Sequence, residues 1–393
     1  MSVISALFEK RAIDASKFGL GDDMWPSSTD AGVYVDKNSA MTLVSVYACV
    51  TLISDAISTM PVDNFRRTQD GRQPAPAPKW MLQPNVETSW PELVDRTLDS
   101  LLKTGNGCLM ITGRDVLGFP SELWPLHPDD YKIRRDGARR KVYDVGGRTY
   151  RQFTAAQPDG QILQIMGHSA DGLVGMSPID QARQAIGLGL ATEKFGNKFF
   201  GNGSQLSGVV ELPTGSNPTE KQLEDWRAMW RRKYSGLDNA FQPTVLANGA
   251  TWKPITIPPD NAQFIETRRF TVAEVARLYR VPPHLIGDVE RSTSWGTGIE
   301  EQNIGFVTFT LNPWIARLES AFSQLTPRGQ YVKWNVNALL RGDAQGRANV
   351  YKAGIQDGWM NRNEARLKED MEPVDGLDGF LTPVQAQPQE LSA

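Results

Sequence analysis

The chain has 393 residues, of which 40% are hydrophobic and 22% are charged. This composition is typical of a soluble globular protein with a sizeable core, and the length predicts two or three packed modules. The formal net charge is −3, whereas proteins whose main task is tight nucleic-acid binding usually show a clear basic excess. The composition therefore disfavours that class, although it leaves weak, sliding contact with DNA open.

The two cysteines, Cys49 and Cys108, both lie in apolar runs of the sequence. They are predicted to be buried thiols of a protein from a reducing compartment rather than a disulfide. The N-terminus lacks the apolar core and the cleavage site of a signal peptide, and no run of eighteen apolar residues occurs. We therefore expect a protein of the cytosol, or of an assembly that is made there.

The first 38 residues show no clear period and are expected to form an extended arm. From Ser39 to Pro61, apolar residues recur at helical spacing, which predicts a helix that faces the core. Its apolar stripe comprises Leu43, Val46, Tyr47, Val50, Ile53 and Ile57.

The following residues are predicted to combine helices with a small sheet. Residues 70–79 are rich in proline and indicate a turn or linker, and Ser89 is predicted to cap a helix that ends at Gly105. Beyond Gly107 the apolar period changes to two, and glycine turns separate short β-rich runs, as in antiparallel hairpins. A solvated hairpin tip is favoured over a DNA clamp for the basic cluster of Arg134, Arg135, Arg139, Arg140 and Lys141.

Two helices are predicted on either side of a small strand, helix and hairpin module. Ser177–Pro178 begins the first helix, and Asn217–Pro218 with Glu220 is predicted to form a capping box inside the module. The second helix is stopped by Pro282 and Pro283. Close packing between subunits would explain the glycines of the first helix, which are Gly187, Gly189 and Gly196.

After the second helix, the stretch up to Gly298 has no apolar periodicity and carries charges of both signs, so it is predicted to be a mobile loop. A long helix follows, in which Pro313 is expected to cause a bend. Asp343 and Asn361 are predicted to cap two short helices near the C-terminus. The tail from Pro373 onward is expected to fray.

The sequence carries few catalytic motifs. It contains no P-loop and no nucleophile elbow, and its three histidines lack the spacing of metal ligands. Asp129 and Asp130 with Lys132 would suit a metal-dependent nuclease, but they fit a turn into a strand equally well. We therefore expect no enzyme activity and no cofactor.

Several runs of the sequence occur together in a characteristic order. They are VYACVTLISDAISTMP, SPIDQARQAIGLGLATEKFGNKFFGNGSQLSGVVEL, DNAQFIETRRFTVAEVARLYRVPPHLIGDVERSTSWGTGIEEQNIGFVTFTLNPWIARLE and GWMNRNEARLKEDMEP. Their order, spacing and total length resemble the bacteriophage portal proteins of the HK97 family over about residues 40–375.

The resemblance implies an α+β portal fold, assembled as a ring of usually twelve subunits around a DNA channel at one capsid vertex of a tailed phage or phage-like particle. It implies the following regions: an N-terminal arm (1–38), a wing (39–176), a first stem helix (177–203), a small α/β clip (204–258), a second stem helix (259–284), a tunnel loop (285–298), a long kinked helix that returns to the wing (299–334), a helical crown (335–372) and a flexible tail (373–393).

The resemblance also implies partners and a location. Double-stranded DNA would pass through the ring transiently and without sequence preference. The terminase large subunit, the head-completion or adaptor proteins and the major capsid protein would dock on the ring. The protein would be assembled in the host cytoplasm and would lie in the virion, with no membrane contact.

The resemblance assigns candidate contacts to three regions. The loop that would face DNA comprises Asp288, Glu290, Arg291, Ser292, Thr293, Ser294, Trp295 and Thr297. The second stem helix offers Arg268, Arg269, Arg277 and Arg280 for phosphate contacts or for pairing with acids of the next subunit, and pairing is favoured because ring interfaces need electrostatic register. In the clip, contacts to another subunit or to the terminase would involve Trp226, Trp230, Arg227 and Arg231.

Two other classes of protein stay open from the sequence. A head–tail adaptor would have a similar structural role, but adaptors are usually far shorter than this chain. A metal-dependent DNA-processing enzyme would require a cluster of acidic residues in one pocket.

Overall fold

Helices and short antiparallel strands occur together along the chain in an α+β arrangement. The computed structural model describes residues 29–69, 71–201, 208–211, 219–225, 228, 251–254, 261–288, 302–336, 344–369 and 371–381. The helices are α1 (Lys37–Met41), α2 (Val44–Ser58), α3 (Lys79–Leu82), α4 (Trp90–Thr104), α5 (Pro178–Gln181), α6 (Arg183–Gly201), α7 (Asn261–Tyr279), α8 (Asn312–Ser323), α9 (Ala344–Gln356) and α10 (Arg362–Leu367).

The strands form small separate sheets rather than one large sheet. They are β1 (Val62–Thr68), β2 (Gly71–Pro74), β3 (Asn106–Arg114), β4 (Pro120–Leu126), β5 (Tyr131–Arg135), β6 (Lys141–Val145), β7 (Arg148–Arg151), β8 (Ile162–Met166), β9 (Gly208–Glu211), β10 (Thr251–Pro254) and β11 (Gln330–Trp334). Their orders are β11-β1-β2, β4-β3-β8, β5-β6-β7 and β10-β9, and each of these neighbouring pairs is antiparallel. The predicted hairpins between Gly107 and Met166 are therefore confirmed, but they belong to two sheets.

Helices α2 and α4 form the centre of the main core. The predicted cap of α4 is confirmed, because the Ser89 amide donates to Glu92 at 2.7 Å in a capping box. The helix ends at Gly105, which has a φ of 76° and so takes the left-handed conformation that glycine allows. Between these ends, one face of α4 buries Leu93, Val94, Leu98, Leu101 and Leu102.

An aromatic cluster joins distant parts of the chain. Strand β11 returns to pair with β1, with Trp334 opposite Val62, and the Trp334 indole donates to the Ile57 carbonyl at 3.2 Å. Phe322 of α8 packs against both Trp80 and Trp90, with ring centroids 5.5 Å and 5.0 Å away. This cluster attaches the returning chain to the helices of its N-terminal half.

Just before Pro313, where the sequence predicts a bend, the helix contains a π-helical segment. Residues 302–305 are α-helical, Phe306–Leu311 are π-helical, and α8 then begins with Pro313 in its first turn. Leu311, which precedes α8, is itself in the helical conformation, so Pro313 lies inside a continuous helix, where its ring would clash with a carbonyl of the preceding turn unless that turn is widened. The wider turn before it thus accommodates the missing N–H group.

Two expectations for the N-terminal half are wrong. Tyr47 does not belong to the buried stripe, since 55% of it is exposed. The sequence predicts one helix from Ser39, whereas the structure has a separate α1 before α2. Val44 and Tyr47 lie on the exposed face of α2. Residues 71–74 are not a linker, because they pair with β1 as its edge strand.

One expectation for a later part of the chain is also wrong, and another is not tested. The predicted capping box begins at Asn217–Pro218, which lies outside the described residues; the described helix begins at Glu220, and the Thr219 amide donates to Gln222 Oε1 at 2.9 Å. The tail is ordered up to residue 381, because buried Asn363 donates to the Val374 carbonyl at 2.9 Å and to Asp378 at 2.8 Å.

The aromatic cluster predicts a strong effect of truncating its central ring. We expect Phe322→Ala to lower the free energy of unfolding by about 3–5 kcal/mol, because it leaves a cavity between three packed indoles. Denaturant unfolding followed by tryptophan fluorescence measures the change. The control Phe309→Ala removes a ring that is 70% exposed, and a similar loss in that control would contradict the assignment.

Candidate functional site

Helices α6 and α7 pack against each other and are linked through the β9–β10 ribbon. Helix α6 ends shortly before β9, and α7 begins shortly after β10. The ribbon pairs Glu211 with Thr251 and Gly208 with Pro254, and Lys253 contacts Glu211 at 2.8 Å. The two packed helices therefore flank, along the chain, a segment that contains the small ribbon, and we call helices and ribbon together the arm.

The glycines of α6 allow close packing within one chain. A Cβ atom on Gly189 would lie 2.7 Å from Thr271 Cγ2 of α7 and 3.0 Å from Leu43 Cδ2. A Cβ atom on Gly187 would lie 2.3 Å from Thr29 Cγ2. The expected explanation by packing between subunits is thus wrong for these two glycines, because their neighbours belong to the same copy.

The four candidate arginines of the second long helix do not share one face. Arg268 and Arg277 are nine residues apart, so at 3.6 residues per turn they lie about half a turn from each other. Both side chains are exposed, as are those of Arg269 and Arg280. Arg277 contacts Glu274 of its own helix at 3.2 Å. A single row of cations along the helix is therefore not formed.

The C-terminal end of α7 is held by contacts with other elements. The Tyr279 hydroxyl donates to the Leu102 carbonyl of α4 at 3.3 Å, and burial raises the pKa of Tyr279 above its usual range. Arg280 adopts a left-handed conformation with a φ of 59°, and its carbonyl accepts a hydrogen bond from the Thr310 hydroxyl. No pattern in the sequence indicated a role for Thr310, which is buried in the π-helical segment.

The same contacts fix both flanks of the candidate loop. A 3₁₀ turn at Pro283–Ile286 follows α7, and Gly287 ends it with a φ of 87°. His284 Nε2 lies 3.4 Å from Asn303 Oδ1, so the chain before the loop contacts the chain after it. Asp288 is half-buried. The other loop candidates lie outside the described residues: Glu290, Arg291, Ser292, Thr293, Ser294, Trp295 and Thr297.

The candidate contacts of the small module also lie outside the described residues. These are Trp226, Arg227, Trp230 and Arg231. Within the described part of that module, residues 220–225 are helical and exposed. The roles of Trp226, Arg227, Trp230 and Arg231 therefore stay predictions.

Catalytic chemistry finds little support in the part of the chain that the structure describes. No group of three or more His, Cys, Asp or Glu side chains there could hold a metal ion. Burial raises the pKa of the Cys49 thiol to about 12, so this thiol is a poor nucleophile. Asp129 forms a salt bridge with Lys37 in an exposed turn, and the hydrogen bond from Lys37 lowers the pKa of Asp129.

Among the described helices, none is long and apolar enough to cross a membrane.

Comparisons with known proteins agree with one another. The model of a family described as "Phage portal protein" matches residues 45–370. The "Probable portal protein" of Streptomyces phage phiC31 is 37% identical over 362 residues, which cover 88% of this chain and 79% of that relative. The "Portal protein" of Enterobacteria phage HK97 is 30% identical over 365 residues, which cover 90% of this chain and 84% of that relative.

Solved structures share the fold. The virion of a native gene transfer agent particle contains a chain with a TM-score of 0.56 and 24% identity, and the alignment covers 86% of this chain and 94% of that one. An HK97 family phage portal protein from Corynebacterium diphtheriae has a TM-score of 0.59 and 16% identity, with 77% of this chain and 96% of that one covered. At these identities the likeness shows the fold.

The contact between α6 and α7 leads to a prediction. We expect Gly189→Ala to destabilise the protein by about 1–2 kcal/mol, because overpacking against Thr271 exceeds the gain in helix propensity of about 1 kcal/mol. Gly305→Ala is the matched control, since nothing lies within 4 Å of its Cβ position. Thermal unfolding compares the two variants, and equal stabilities would refute the close contact.

The tie between Thr310 and Arg280 leads to a second prediction. We expect Thr310→Val to speed amide hydrogen exchange in residues 280–288 by about 5–150-fold, which corresponds to a lost buried hydrogen bond of about 1–3 kcal/mol. Thr308→Val is the control, because Thr308 lies in the same π-helical segment but is exposed. Unchanged exchange in the first variant would show that this bond does not hold the loop flank.

Proposed function

We propose that this chain, which belongs to the phage portal protein family, forms a ring of identical copies at one capsid vertex through which double-stranded DNA is packaged and ejected. We expect the ring to contain twelve copies in the assembled phage or phage-like particle. The neck of a gene transfer agent particle, which was computed with C12 symmetry, contains a chain of the same fold. The ring, its partners and its location in the virion are parts of this proposal.

The observation that carries the proposal is the arm formed by α6, the β9–β10 ribbon and α7. In the proposed ring, the two helices are the stem, and residues 204–258 are the clip at its far end. Residues 39–176, together with the chain that returns through 299–334, form the wing. The shared β1–β11 sheet supports this grouping, because Trp334 pairs with Val62 across most of the chain length.

The C-terminal module supports assembly into oligomers. Residues 335–372 form the proposed crown, which residues 373–381 extend, and within the described residues no other helix or strand packs extensively against α9 or α10. Its exposed apolar side chains include Trp359, Leu367, Met371 and Phe380. A unit below about 40 residues is rarely stable by itself, so further copies or partners would be needed to cover this surface.

The charge of the protein favours a passage for DNA over a fixed binding site. Many fixed Lys or Arg contacts to phosphates would gain affinity through counterion release and would hold a moving duplex. The chain has a formal net charge of −3. We place the loop from Asp288 to Thr297 at the constriction, since both of its flanks are anchored while the loop itself carries charges of both signs.

The arginines of the second stem helix are assigned mainly to subunit contacts. Arg277 already pairs with Glu274 of its own helix, so it is the weakest candidate for a DNA contact. Arg268, Arg269 and Arg280 are exposed, and pairing with acids of the next copy would fix the register of a long interface.

Partners would bind at the two ends of the ring. The terminase large subunit would dock at the clip and supply the motor, because the sequence has no P-loop of its own. Head-completion or adaptor proteins would replace the motor after packaging, and Trp226, Arg227, Trp230 and Arg231 are our candidates for these contacts. The major capsid protein would surround the wing.

Electron microscopy of the purified protein and of assembled particles tests the proposal. We expect rings with a central opening wide enough for a DNA duplex. Replacing Asp288–Thr297 by a glycine–serine linker of equal length should leave the rings intact but lower DNA packaging or retention at least tenfold, since the constriction is lost. The same type of linker in the exposed turn at Asp115–Gly118 is the control.

Two outcomes would contradict different parts of the proposal. Compact monomers at every protein concentration would argue against the ring. Normal packaging and retention of DNA with the loop replaced would show that these residues do not form the constriction, while the ring itself would stand.

A further inference from the structure

The β5-β6-β7 sheet carries a concentration of positive charge. Residues 131–151, which we call the basic lobe, contain eight Lys or Arg and two Asp side chains, so their formal charge is +6. The whole chain has a formal charge of −3, and the residues outside the lobe therefore carry −9 together. Cations clustered in this way on one small element are the electrostatic sign of a surface that binds a polyanion.

Half of the cations in the basic lobe have no acidic partner. Three are paired with carboxylates at 2.5–3.2 Å, namely Arg134, Arg140 and Arg151. Lys141 donates to the Gln164 side chain at 2.7 Å. The remaining four are exposed and form no salt bridge with any residue that the structure describes: Lys132, Arg135, Arg139 and Arg148. Their charge is thus available to a partner.

The turn between β5 and β6 holds one of these arginines in an unfavourable conformation. Asp136 Oδ1 accepts hydrogen bonds from the amides of Ala138 at 2.9 Å and Arg140 at 2.8 Å, and the Arg139 amide donates to the Asp136 carbonyl at 2.9 Å. Arg139 follows in the left-handed conformation, with a φ of 61°. Glycine adopts this conformation freely, whereas a Cβ atom disfavours it. Glycine is accordingly the usual residue at this position of such a hairpin turn.

The same chain builds the same turn with glycine between β3 and β4. Asp115 Oδ1 accepts from the amides of Leu117 at 2.9 Å and Phe119 at 2.8 Å, and the Gly118 amide donates to the Asp115 carbonyl at 3.0 Å. Gly118 has a φ of 85° and corresponds in position to Arg139. Backbone stability therefore does not explain the arginine, and a strained residue of this kind points to a function for its side chain.

The surroundings of the basic lobe favour a nucleic acid over an acidic protein. Specific protein interfaces have an apolar or aromatic centre, but no large hydrophobic side chain is exposed from residue 119 to residue 173, a stretch that is described throughout. Interfaces with nucleic acids are polar and positively charged, and most of their contacts go to phosphates. We propose that the basic lobe binds the phosphate backbone of double-stranded DNA without sequence preference. The choice of duplex DNA rests on the proposed function.

The solvent face of the sheet spaces its cations for several phosphates. Lys132 and Arg134 are two residues apart on β5, so their Cα atoms are about 6.6 Å apart on one face. Val142 pairs with both Arg134 and Arg151, which places these two arginines about 9.6 Å apart. Ion pairs of exposed arginines contribute little to stability, so both arginines can exchange their carboxylates for phosphates.

The basic lobe is separate from the arm that would line the channel. A small second core joins it to the β4-β3-β8 sheet through Cys108, Tyr131, Tyr143 and Ile162, whereas α2, α4 and α7 contribute to the main core. DNA bound at the lobe would therefore be duplex outside the proposed channel. Fixed cations at this place would not oppose the passage of DNA between the stem helices.

The salt dependence of DNA binding tests the proposal. Anisotropy of a fluorescein-labelled duplex of about 30 base pairs, between about 50 and 200 mM salt, compares the full chain with a variant that carries Lys132→Gln, Arg135→Gln and Arg139→Gly. Each lost phosphate contact lowers the slope of log K against log salt by about 0.9. We therefore expect a slope smaller by about 2–3 and binding at least tenfold weaker at about 100 mM salt.

A second triple variant controls for net charge. Lys79→Gln, Arg328→Gln and Arg362→Gln remove three exposed cations outside the basic lobe, and we expect the slope to change by less than about 1. Equal losses in the two variants would show a general effect of charge and overturn the proposal. Size-exclusion chromatography confirms that all chains are compared in the same state of assembly.

Single substitutions at the turn separate binding from folding. Arg139→Gly should weaken DNA binding about threefold, since one phosphate contact is lost, yet it should unfold at a temperature no lower than that of the unchanged protein, because glycine relieves the left-handed backbone. Arg139→Lys keeps the charge and should restore most of the affinity. A lower unfolding temperature with unchanged DNA binding would mean that Arg139 is structural, which would overturn its assigned role.

A competitor distinguishes DNA from an acidic protein. Duplex DNA carries one charge per about 1.7 Å, whereas extended poly-L-glutamate carries one per about 3.3 Å. We expect poly-L-glutamate of equal total charge to displace the duplex at least tenfold less well. Equal competition would show that the surface fits an acidic protein as well as DNA and would overturn the assignment.

The outcomes separate this inference from the proposed ring. Rings that bind DNA equally well with and without the three lobe cations would overturn the lobe assignment and leave the portal function intact. Loss of DNA binding in the lobe variant of a chain that never forms rings would support the lobe and contradict the ring.

Discussion

The close approach of α6 to α7 at Gly189 is the contact on which the rest of the structure depends. A side chain at this position would collide with Thr271 and Leu43, and so would separate α7 from both α6 and α2. Helix α7 then could not reach the Leu102 carbonyl with Tyr279. Since the C-terminal end of α7 positions the chain that enters the candidate loop, one missing methyl group helps to set the geometry of the site.

Local signals in the sequence predicted much of the secondary structure. The capping boxes at Ser89 and Asn361 are present as expected, because a cap involves residues only three apart. The errors occurred where the outcome depends on distant contacts. Tyr47 matches the helical period but lies where no described element covers it. Residues 373–381 have a tail-like composition, yet Asn363 holds part of them through hydrogen bonds that no local pattern reveals.

The candidate site was less predictable than the fold for a physical reason. The order of helix, loop and helix was visible in the sequence, but the contacts that anchor the loop join residues thirty positions apart, as Thr310 and Arg280 do. The run of β-branched residues before Pro313 is a weak signal of an irregular helix, since such residues crowd the preceding turn. The roles of Arg268 and Arg269 depend on groups in other copies and on DNA, which the sequence of one chain does not position.

The distribution of interactions fits the proposed ring, which must be rigid and yet hold the DNA in its channel weakly. Rigidity comes from buried contacts that salt does not screen, such as the aromatic cluster around Phe322 and the packing of α7 on α6. The arginines Arg268, Arg269 and Arg277 of α7 are exposed, and Arg277 is already paired within its own helix, so burial does not hold these cations in an orientation that would bind a phosphate. If cations were instead fixed toward the channel, twelve copies would multiply every contact, and the avidity would retain the DNA that the ring must release. In the proposed ring, each subunit must therefore contact the DNA weakly, because the symmetry repeats every contact.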